Sequence, residues 1–214
     1  MSAAAICAEP LDRRFDQWAT AADSAPMRYH DRGFDTPAIK LLPGELVGTD
    51  DDAMLVTILG SCVAACLWDD VAQVGGMNHF MLPGDAGDGT GSGRYGVYAM
   101  ELLINRLMAL GAARSRLRAK LFGGAAVIRS MTQTEVGASN IAFVQQYLRT
   151  EGIAVLASDV GGPWPRRVHF FSGSGRAFVK RLPVIEARRI ATDEDQHRRR
   201  LQTHVPDAGS IELF

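Results

Sequence analysis

The stretch LGSCVAACLWDDVAQVGGMNHFMLP, residues 59–83, predicts two short strands folded back on each other. The first arm, residues 62–68, is apolar, and the second arm, residues 74–82, is apolar apart from Asn78 and His79. The polar segment between the arms begins with two aspartates, which favour a turn. The stretch therefore predicts a β-hairpin, and the other predicted elements are arranged around it.

The predicted hairpin brings one cysteine and one histidine to the same face. Facing positions in an antiparallel pair have a constant sum, and a turn centred near Asp70 and Val71 makes that sum about 141. Cys62 then lies opposite His79, and facing side chains have Cβ atoms roughly 4.5–5.5 Å apart. A histidine at that distance can take the thiol proton, which lowers the pKa of the cysteine and creates a nucleophile at neutral pH. We therefore predict a Cys62–His79 pair close to hydrogen-bonding distance.

Two other features of the hairpin bear on this pair. A β-bulge in either strand would turn one of the two side chains to the opposite face, and Gly75 and Gly76 are where we expect one. Cys66 lies on the same predicted face as Cys62 but has no facing histidine, so we expect it to be a packing residue. Without His79, buried packing would also be the simplest interpretation of Cys62.

Four more motifs follow the hairpin in the chain. They are RYGVYAMELLINRLMALGA (residues 94–112), KLFGGA (120–125), NIAFVQQYL (140–148) and DVGG…RRV (within 159–168). Together with LGSCVAACLWD…GGMNHFMLP, they make the sequence resemble the CheD family, the chemoreceptor glutamine deamidases of bacterial chemotaxis. The resemblance covers roughly residues 38–182, and the motifs occur in the order and spacing of the family.

The resemblance implies a site of three residues. The family's nucleophile is the cysteine of the GSC motif, here Cys62, and its base is the histidine of the H-x-M-L-P segment, here His79. The family also uses a threonine on the strand before the cysteine to orient the histidine, and Thr57 is the threonine on that predicted strand. The backbone N–H of Cys62 is expected to help hold the oxyanion.

The reaction implied by the resemblance is hydrolysis of a glutamine side-chain amide through a cysteine thioester, with release of ammonia and no cofactor or metal. The substrate glutamines would lie on the cytoplasmic helices of chemoreceptors, where the new glutamates become methylation sites. The family also implies a CheC-type phosphatase as a partner that restrains the enzyme. These substrates and partners come from the resemblance alone.

Two other classes of function remain open at this point. A non-enzymatic adaptor would bind chemoreceptors or a CheC-type phosphatase without modifying them. A cysteine transamidase or peptidase would use the same Cys–His pair and differ in what accepts or supplies the acyl group. The mass of a receptor fragment after incubation distinguishes deamidation from cleavage, cross-linking or no reaction.

The composition of the 214-residue chain excludes several classes of protein. With 47% hydrophobic residues, 22% charged residues and a net charge of −1, the chain is typical of a globular protein and offers no strong field to nucleic acid. We expect no membrane insertion, because no run of about 18 apolar residues occurs. The N-terminus lacks a basic region before its apolar patch, which argues against a signal peptide and favours a cytoplasmic location. Three cysteines without a CxxC pair favour neither a disulfide framework nor a structural zinc site.

The remaining patterns predict the other elements of the fold. They indicate strands at residues 38–42, 54–59, 117–122, 153–157, 167–171 and 176–182, and helices at residues 95–110 and from Ser139 to about residue 151. This order predicts an α/β (α+β) fold, a single-domain mixed sheet layered with two main helices, in which the β-hairpin carries the Cys–His pair. The predicted divisions are a partly disordered N-terminal extension (1–36), a CheD-like deamidase domain (37–184) and a charged C-terminal tail (185–214).

Three further predictions concern segments around the site. The glycine-rich segment 84–94 lacks the Lys-Ser/Thr ending of a P-loop and is predicted to be a surface loop. A glutamine on a partner protein needs access, so we expect a shallow cleft near this loop and not a closed pocket. The C-terminal tail is predicted to be solvated, and its two histidines, His197 and His204, carry no functional signal.

Overall fold

The computed structural model describes residues 26–82, 91–126 and 131–203, and within these ranges it forms ten strands and three α-helices. The strands are β1 (Met27–Asp31), β2 (Thr36–Lys40), β3 (Leu46–Thr49), β4 (Met54–Leu59), β5 (Val63–Asp69), β6 (Val74–Phe80), β7 (Arg118–Gly123), β8 (Ala154–Val160), β9 (Arg166–Phe171) and β10 (Ala177–Arg181). The helices are α1 (Gly91–Ala109), α2 (Met131–Thr150) and α3 (Val184–Thr203). Over the described ranges, no helix has both the length and the apolar character that crossing a bilayer requires.

The strands form two five-stranded mixed sheets. The first sheet has the order β1-β2-β4-β9-β10, and the second sheet has the order β3-β6-β5-β7-β8. Each sheet contains one parallel pair, β2 with β4 in the first and β7 with β8 in the second, and its other neighbours are antiparallel. The mixed α/β class predicted from the sequence is confirmed. The sequence predicted one sheet and two main helices, whereas the described residues form two sheets and three helices.

The second sheet is the middle layer of the molecule. One of its faces packs against the first sheet, in contacts that include Met77 of the second sheet and Leu55 of the first. The opposite face packs against α1 and α2, where Leu67 of β5 joins a cluster with Leu103 and Val144. All seven residues of β5 are buried, because this strand lies at the centre of the sheet and is covered on both faces. Two-sided burial explains why the first arm of the hairpin is continuously apolar.

The β5–β6 hairpin has a different register from the predicted one. Ala64 faces His79, so facing positions sum to 143 and not to about 141. The turn lies one residue later because Asp69 still belongs to β5, and its carboxylate accepts two backbone N–H groups of the turn, at 3.0 and 3.2 Å. A shift of two positions keeps every side chain on its predicted face. Cys62, which directly precedes β5, therefore still shares a face with His79.

The predicted bulge at Gly75 and Gly76 is wrong, because β5 and β6 pair without interruption from Val63 to Asp69. The two glycines have a different explanation. A Cβ on Gly75 would lie 2.1 Å from a carbonyl oxygen, that of Ser172, and one on Gly76 would lie 2.5 Å from the carbonyl oxygen of Val47. The glycine pair therefore lets β6 approach neighbouring backbone more closely than a side chain would allow.

Three elements differ from the segments predicted for the same residues. β3 lies between two of the predicted strands, where none was predicted, and is only four residues long. β1 lies within residues 1–36, where the prediction was an extension, and pairs with β2. α2 begins at Met131, eight residues before the predicted N-cap at Ser139. The sequence did not indicate this earlier start, because the first turns of the helix are polar and contain a glycine. The division of the chain into extension, domain and tail stays a prediction.

The helix α3 occupies residues that were predicted to form a solvated tail. Among the α3 side chains that the structure describes, the buried ones are Ile190, Ala191, Glu194 and His197, which share one face of a helix. Two of these four residues are polar, so the sequence has no apolar stripe strong enough to predict an amphipathic helix. The prediction of a solvated tail is therefore wrong for these residues.

The end of β7 holds the backbone that precedes β5. Gly123 has a φ of +107°, and a Cβ there would lie 2.1 Å from the carbonyl oxygen of Cys62. Gly124 donates its N–H to the same carbonyl at 2.7 Å. These two glycines therefore fix the position of the Cys62 backbone against the C-terminal end of β7.

We expect Gly123→Ala to destabilise the protein more than Gly111→Ala. Gly111 has a similar φ of +101° but nothing within 4 Å of its Cβ position. Its substitution therefore adds only the strain of a left-handed backbone, about 1–2 kcal/mol. Gly123→Ala also displaces the Cys62 carbonyl, which we expect to cost at least about 1 kcal/mol more. Urea-induced unfolding measures both free energies, and equal losses would contradict a role for this contact.

Candidate active site

Residues 60–62, which we call the GSC loop, join β4 to β5 and are held through their carbonyl groups. The three carbonyl oxygens accept hydrogen bonds from Ala125 N–H at 2.6 Å, the Asn140 side-chain amide at 2.9 Å and Gly124 N–H at 2.7 Å, in chain order. Asn140 is fully buried, and its Oδ1 also accepts the N–H of Leu82 at 2.9 Å. The loop backbone is thereby fixed to the end of β7, to α2 and to the segment after β6.

The N–H groups of the GSC loop converge on the carboxylate of Glu194, which comes from α3. Gly60 and Cys62 donate to Oε1 at 2.8 and 3.1 Å. Ser61 donates to Oε2 through its N–H at 2.8 Å and through its hydroxyl at 2.7 Å. Successive backbone N–H groups that point to one spot form an anion-binding concavity. Beside a nucleophile, such a concavity can stabilise the oxyanion of an acyl-transfer intermediate.

The orientation of His79 is set by Thr57 on the neighbouring sheet. The Thr57 hydroxyl donates to the carbonyl oxygen of Leu41 at 2.9 Å and lies 2.8 Å from Nδ1 of His79. Since the only hydroxyl proton is used on Leu41, Nδ1 of His79 carries a proton and donates it to Thr57. Nε2 is then unprotonated, and among the described residues it has no hydrogen-bond partner. This tautomer leaves a free lone pair, which a general base needs.

The structure brings the three predicted site residues together. Cys62 Sγ, a ring nitrogen of His79 and a carboxylate oxygen of Glu194 all lie within 4.8 Å of one another. Thr57 lies directly behind His79. The predicted proximity of Cys62 and His79 is therefore confirmed, even though the hairpin register that predicted it was two positions off. The catalytic roles of these residues stay predictions.

Cys62 and His79 are both neutral in this conformation. Burial raises the pKa of the Cys62 thiol well above its usual value, and the nearby Glu194 carboxylate raises it further. Burial lowers the pKa of His79 to about 3, and the proximity of His197 acts in the same direction. The lowered thiol pKa predicted from the sequence is therefore wrong for this conformation. The reason is that a carboxylate and full burial both disfavour a thiolate.

The site is closed. Cys62 is 0% exposed and His79 is 1% exposed, and α3 contributes Glu194 directly above the GSC loop. The predicted open cleft is therefore wrong for this conformation. The loop expected beside it, residues 84–94, lies largely outside the described residues, and residues 91–94 belong to α1.

Sequence reasoning missed two residues of the site, Glu194 and His197. The His197 ring packs on the backbone after β2, where a Cβ on Gly44 would lie 2.7 Å from its Cε1. Its pKa is lowered to about 4 by burial and then by Arg200, so it is neutral. The spacing of Ile190, Glu194 and His197 could have indicated one helical face, but the many charged residues around them obscured this pattern.

Asn140 begins the motif NIAFVQQYL, yet its role in holding the GSC loop was not predicted.

The cluster of Cys62, His79 and Glu194 also has the donor set of a metal site. A thiolate, an imidazole and a carboxylate are ligands that Zn²⁺ accepts, and the three atoms are close enough to share one ion. However, each oxygen of the Glu194 carboxylate already accepts two hydrogen bonds from the GSC loop. These hydrogen bonds already satisfy the buried carboxylate without a metal ion. We therefore assign the cluster to cysteine chemistry and not to metal binding.

The chain is similar to proteins of known family. Residues 81–181 match the family described as CheD chemotactic sensory transduction. The "Probable chemoreceptor glutamine deamidase CheD" of Xanthomonas euvesicatoria pv. vesicatoria (strain 85-10) is 51% identical over 189 residues, which cover 88% of this chain and 94% of that protein. The protein of the same name from Stenotrophomonas maltophilia (strain K279a) is 50% identical over the same shares of the two chains. The "Probable chemoreceptor glutamine deamidase CheD 1" of Shewanella oneidensis is 46% identical over 193 residues, 88% of this chain and 93% of that one. Because relatives this similar align along nearly their whole length, the chain belongs to the CheD family.

Proposed function

We propose that this protein is a chemoreceptor glutamine deamidase, which converts glutamine side chains of chemoreceptors to glutamate and releases ammonia. The observation that carries the proposal is the arrangement of Cys62, His79 and Thr57 beside the N–H groups of the GSC loop. A nucleophile, an oriented base and an oxyanion site are the parts that amide hydrolysis through a thioester requires. The names of the similar proteins support the same activity and the same substrate class.

The first half of the reaction forms a thioester. His79 takes the Cys62 proton on Nε2, and the thiolate attacks the side-chain carbonyl carbon of a glutamine. The carbonyl oxygen becomes an oxyanion that accepts hydrogen bonds from the GSC loop. When the intermediate collapses, the carbon–nitrogen bond breaks, and His79 gives its proton to the departing ammonia.

The second half of the reaction releases the product. His79, neutral again, takes a proton from a water molecule that attacks the thioester carbon. The carbon–sulfur bond breaks, Cys62 recovers its proton, and the product is a glutamate side chain. Thr57 acts through His79 in both halves, because it holds the proton on Nδ1 and keeps Nε2 free.

The proposal includes partners that follow from the family. The substrates are cytoplasmic helices of chemoreceptors, and a CheC-type phosphatase is a candidate partner that restrains the enzyme. A cytoplasmic location is consistent with these substrates. No nucleic acid, cofactor or metal ion has a part in the reaction as proposed.

A non-enzymatic adaptor is the second candidate function, and the complete burial of Cys62 is the observation that favours it. An adaptor would bind a receptor fragment without changing its mass. Deamidation would add about 1 Da at each modified glutamine, and a peptidase or transamidase would cleave or cross-link the fragment. Mass spectrometry of a chemoreceptor cytoplasmic fragment after incubation therefore separates the alternatives.

We expect Cys62→Ala to abolish deamidation of a receptor fragment, because no other group can form the thioester. Cys66→Ala is the matched control, since both thiols are fully buried on the same face of the hairpin. It should retain most of the activity. Mass spectrometry measures both rates, and circular dichroism checks that both variants are folded. Similar loss of activity in the two variants would rule out the assignment of Cys62.

We expect His79→Gln to lower the rate of deamidation by about 10²–10⁴-fold, because general acid–base catalysis is lost.

The orienting role of Thr57 is tested by Thr57→Val, which has the same shape but no hydroxyl to accept the Nδ1 proton of His79. This variant should lower kcat by on the order of 10-fold with little change in KM, because part of the histidine population then has the wrong tautomer.

Thr57→Ser is the control for that experiment, because it restores the hydroxyl while it removes a methyl group. It should keep a kcat near that of the unmodified protein. If the serine and valine variants lost the same activity, Thr57 would be a packing residue and not a positioning residue.

A further inference from the structure

The carboxylate of Glu194 is buried, with the residue only 4% exposed, and it lies close to Cys62. It is held by neutral donors and not by a cation. Its four hydrogen bonds come from three backbone N–H groups and one hydroxyl of the GSC loop. Buried carboxylates are normally paired with cations or bound to several strong donors. The GSC loop is thus a binding site for a carboxylate, and this chain fills the site with its own glutamate side chain.

The bound group has the chemistry of the reaction product. Deamidation of a glutamine leaves a glutamate side chain next to Cys62 and His79, with one carboxylate oxygen in the oxyanion site. Glu194 has that arrangement, because Oε1 accepts the N–H groups of Gly60 and Cys62 and a carboxylate oxygen lies within 4.8 Å of both Sγ and the imidazole.

The donor pattern of the loop favours a carboxylate over a carboxamide. Ser61 directs an N–H group at Oε2, and its hydroxyl donates to the same atom. If a carboxamide NH₂ group took the position of Oε2, it and the Ser61 N–H group would both be donors, so this hydrogen bond would be lost. A glutamate side chain is therefore held more tightly in this site than a glutamine side chain.

The helix α3 delivers this side chain and covers the site. Its face towards the protein contains Ile190, Ala191, Glu194 and His197, all buried. With α3 in this position the thiol is inaccessible, and a glutamine from another protein cannot occupy the GSC loop at the same time as Glu194.

From these observations we propose that α3 is a built-in product analogue: Glu194 occupies the subsite of the product carboxylate, keeps the enzyme closed, and must leave before a substrate glutamine can enter. The inference deepens the proposed deamidase function and rests on it. It assigns the N–H groups of Gly60 and Cys62 as the subsite for the substrate carbonyl oxygen. The N–H group and hydroxyl of Ser61 are assigned to the second oxygen of the product carboxylate.

The first test removes the carboxylate from the full-length chain by Glu194→Ala. Asp193→Ala is the matched control, because Asp193 is the neighbouring acidic residue on α3 and is exposed. The readout is the rate at which iodoacetamide alkylates Cys62, followed by peptide mass spectrometry, with buried Cys66 as an internal reference. This readout does not depend on enzymatic activity.

We expect Glu194→Ala to speed alkylation of Cys62 by at least about 10-fold, because the site opens and the thiol loses a neighbouring negative charge. Deamidation of a receptor fragment should rise with it, while Cys66 and the Asp193→Ala protein stay slow. Unchanged alkylation in Glu194→Ala would overturn the proposal. Faster alkylation with slower deamidation would also overturn it, because Glu194 would then assist catalysis and not block it.

The second test asks whether residue 194 occupies the product position, by Glu194→Gln. In the closed state the Cys62 thiolate would attack this carboxamide, form a carbon–sulfur bond and expel ammonia, with His79 carrying the proton from the thiol to the leaving group. The chain would either lose about 17 Da as a thioester or, after hydrolysis by water, gain about 1 Da as glutamate. The double variant with Cys62→Ala should keep its mass.

The two tests separate failure of the inference from failure of the proposed function. A Glu194→Gln chain that deamidates receptor fragments but never changes its own mass would overturn the product position of residue 194. If no variant deamidated a receptor fragment but Glu194→Ala still sped alkylation of Cys62, the deamidase function would be contradicted. The role of α3 in closing the site would still be supported.

Discussion

The fixed backbone of the GSC loop is the constraint on which the site depends. Each of its three carbonyls is bound from the side of β7 and α2, which leaves the three N–H groups to point at a single position. An oxyanion site that is already oriented stabilises developing charge without reorganisation, which is the main reason such sites accelerate acyl transfer. Gly123, Gly124 and Asn140 therefore help to fix this loop, although they act only through the backbone of residues 61 and 62.

His79 is held in a different way, through the packing of the two sheets. His79 belongs to the second sheet, whereas Thr57 belongs to the first sheet. The tautomer of the imidazole thus depends on the distance between the sheets, which is set by close-packed side chains such as Leu55 and Met77. Core packing and the tautomer of His79 are coupled at this point, so core substitutions far from Cys62 can alter which ring nitrogen of His79 carries the proton.

The sequence predicted the pair of Cys62 and His79 because strand geometry has a period of two. An error of two positions in the register left both side chains on the correct face, whereas an error of one would have separated them. The threonine on β4 was also found, from the family pattern. What could not be predicted was α3, since its buried face carries Glu194 and His197 where an amphipathic helix would carry apolar residues. Glu194 of that helix covers the site and adds to the effect of burial on the pKa of the Cys62 thiol, so the closed site and part of the raised pKa were missed together.

The link between β10 and α3 is two residues long, because β10 ends at Arg181 and α3 begins at Val184. A ligand attached by so short a link is presented to its site at an effective concentration that reaches about the millimolar range, whatever the amount of protein in solution. Dilution does not release it, and a weakly bound substrate must outcompete a tethered rival. A molecule that bound the detached α3 would change this intramolecular equilibrium directly.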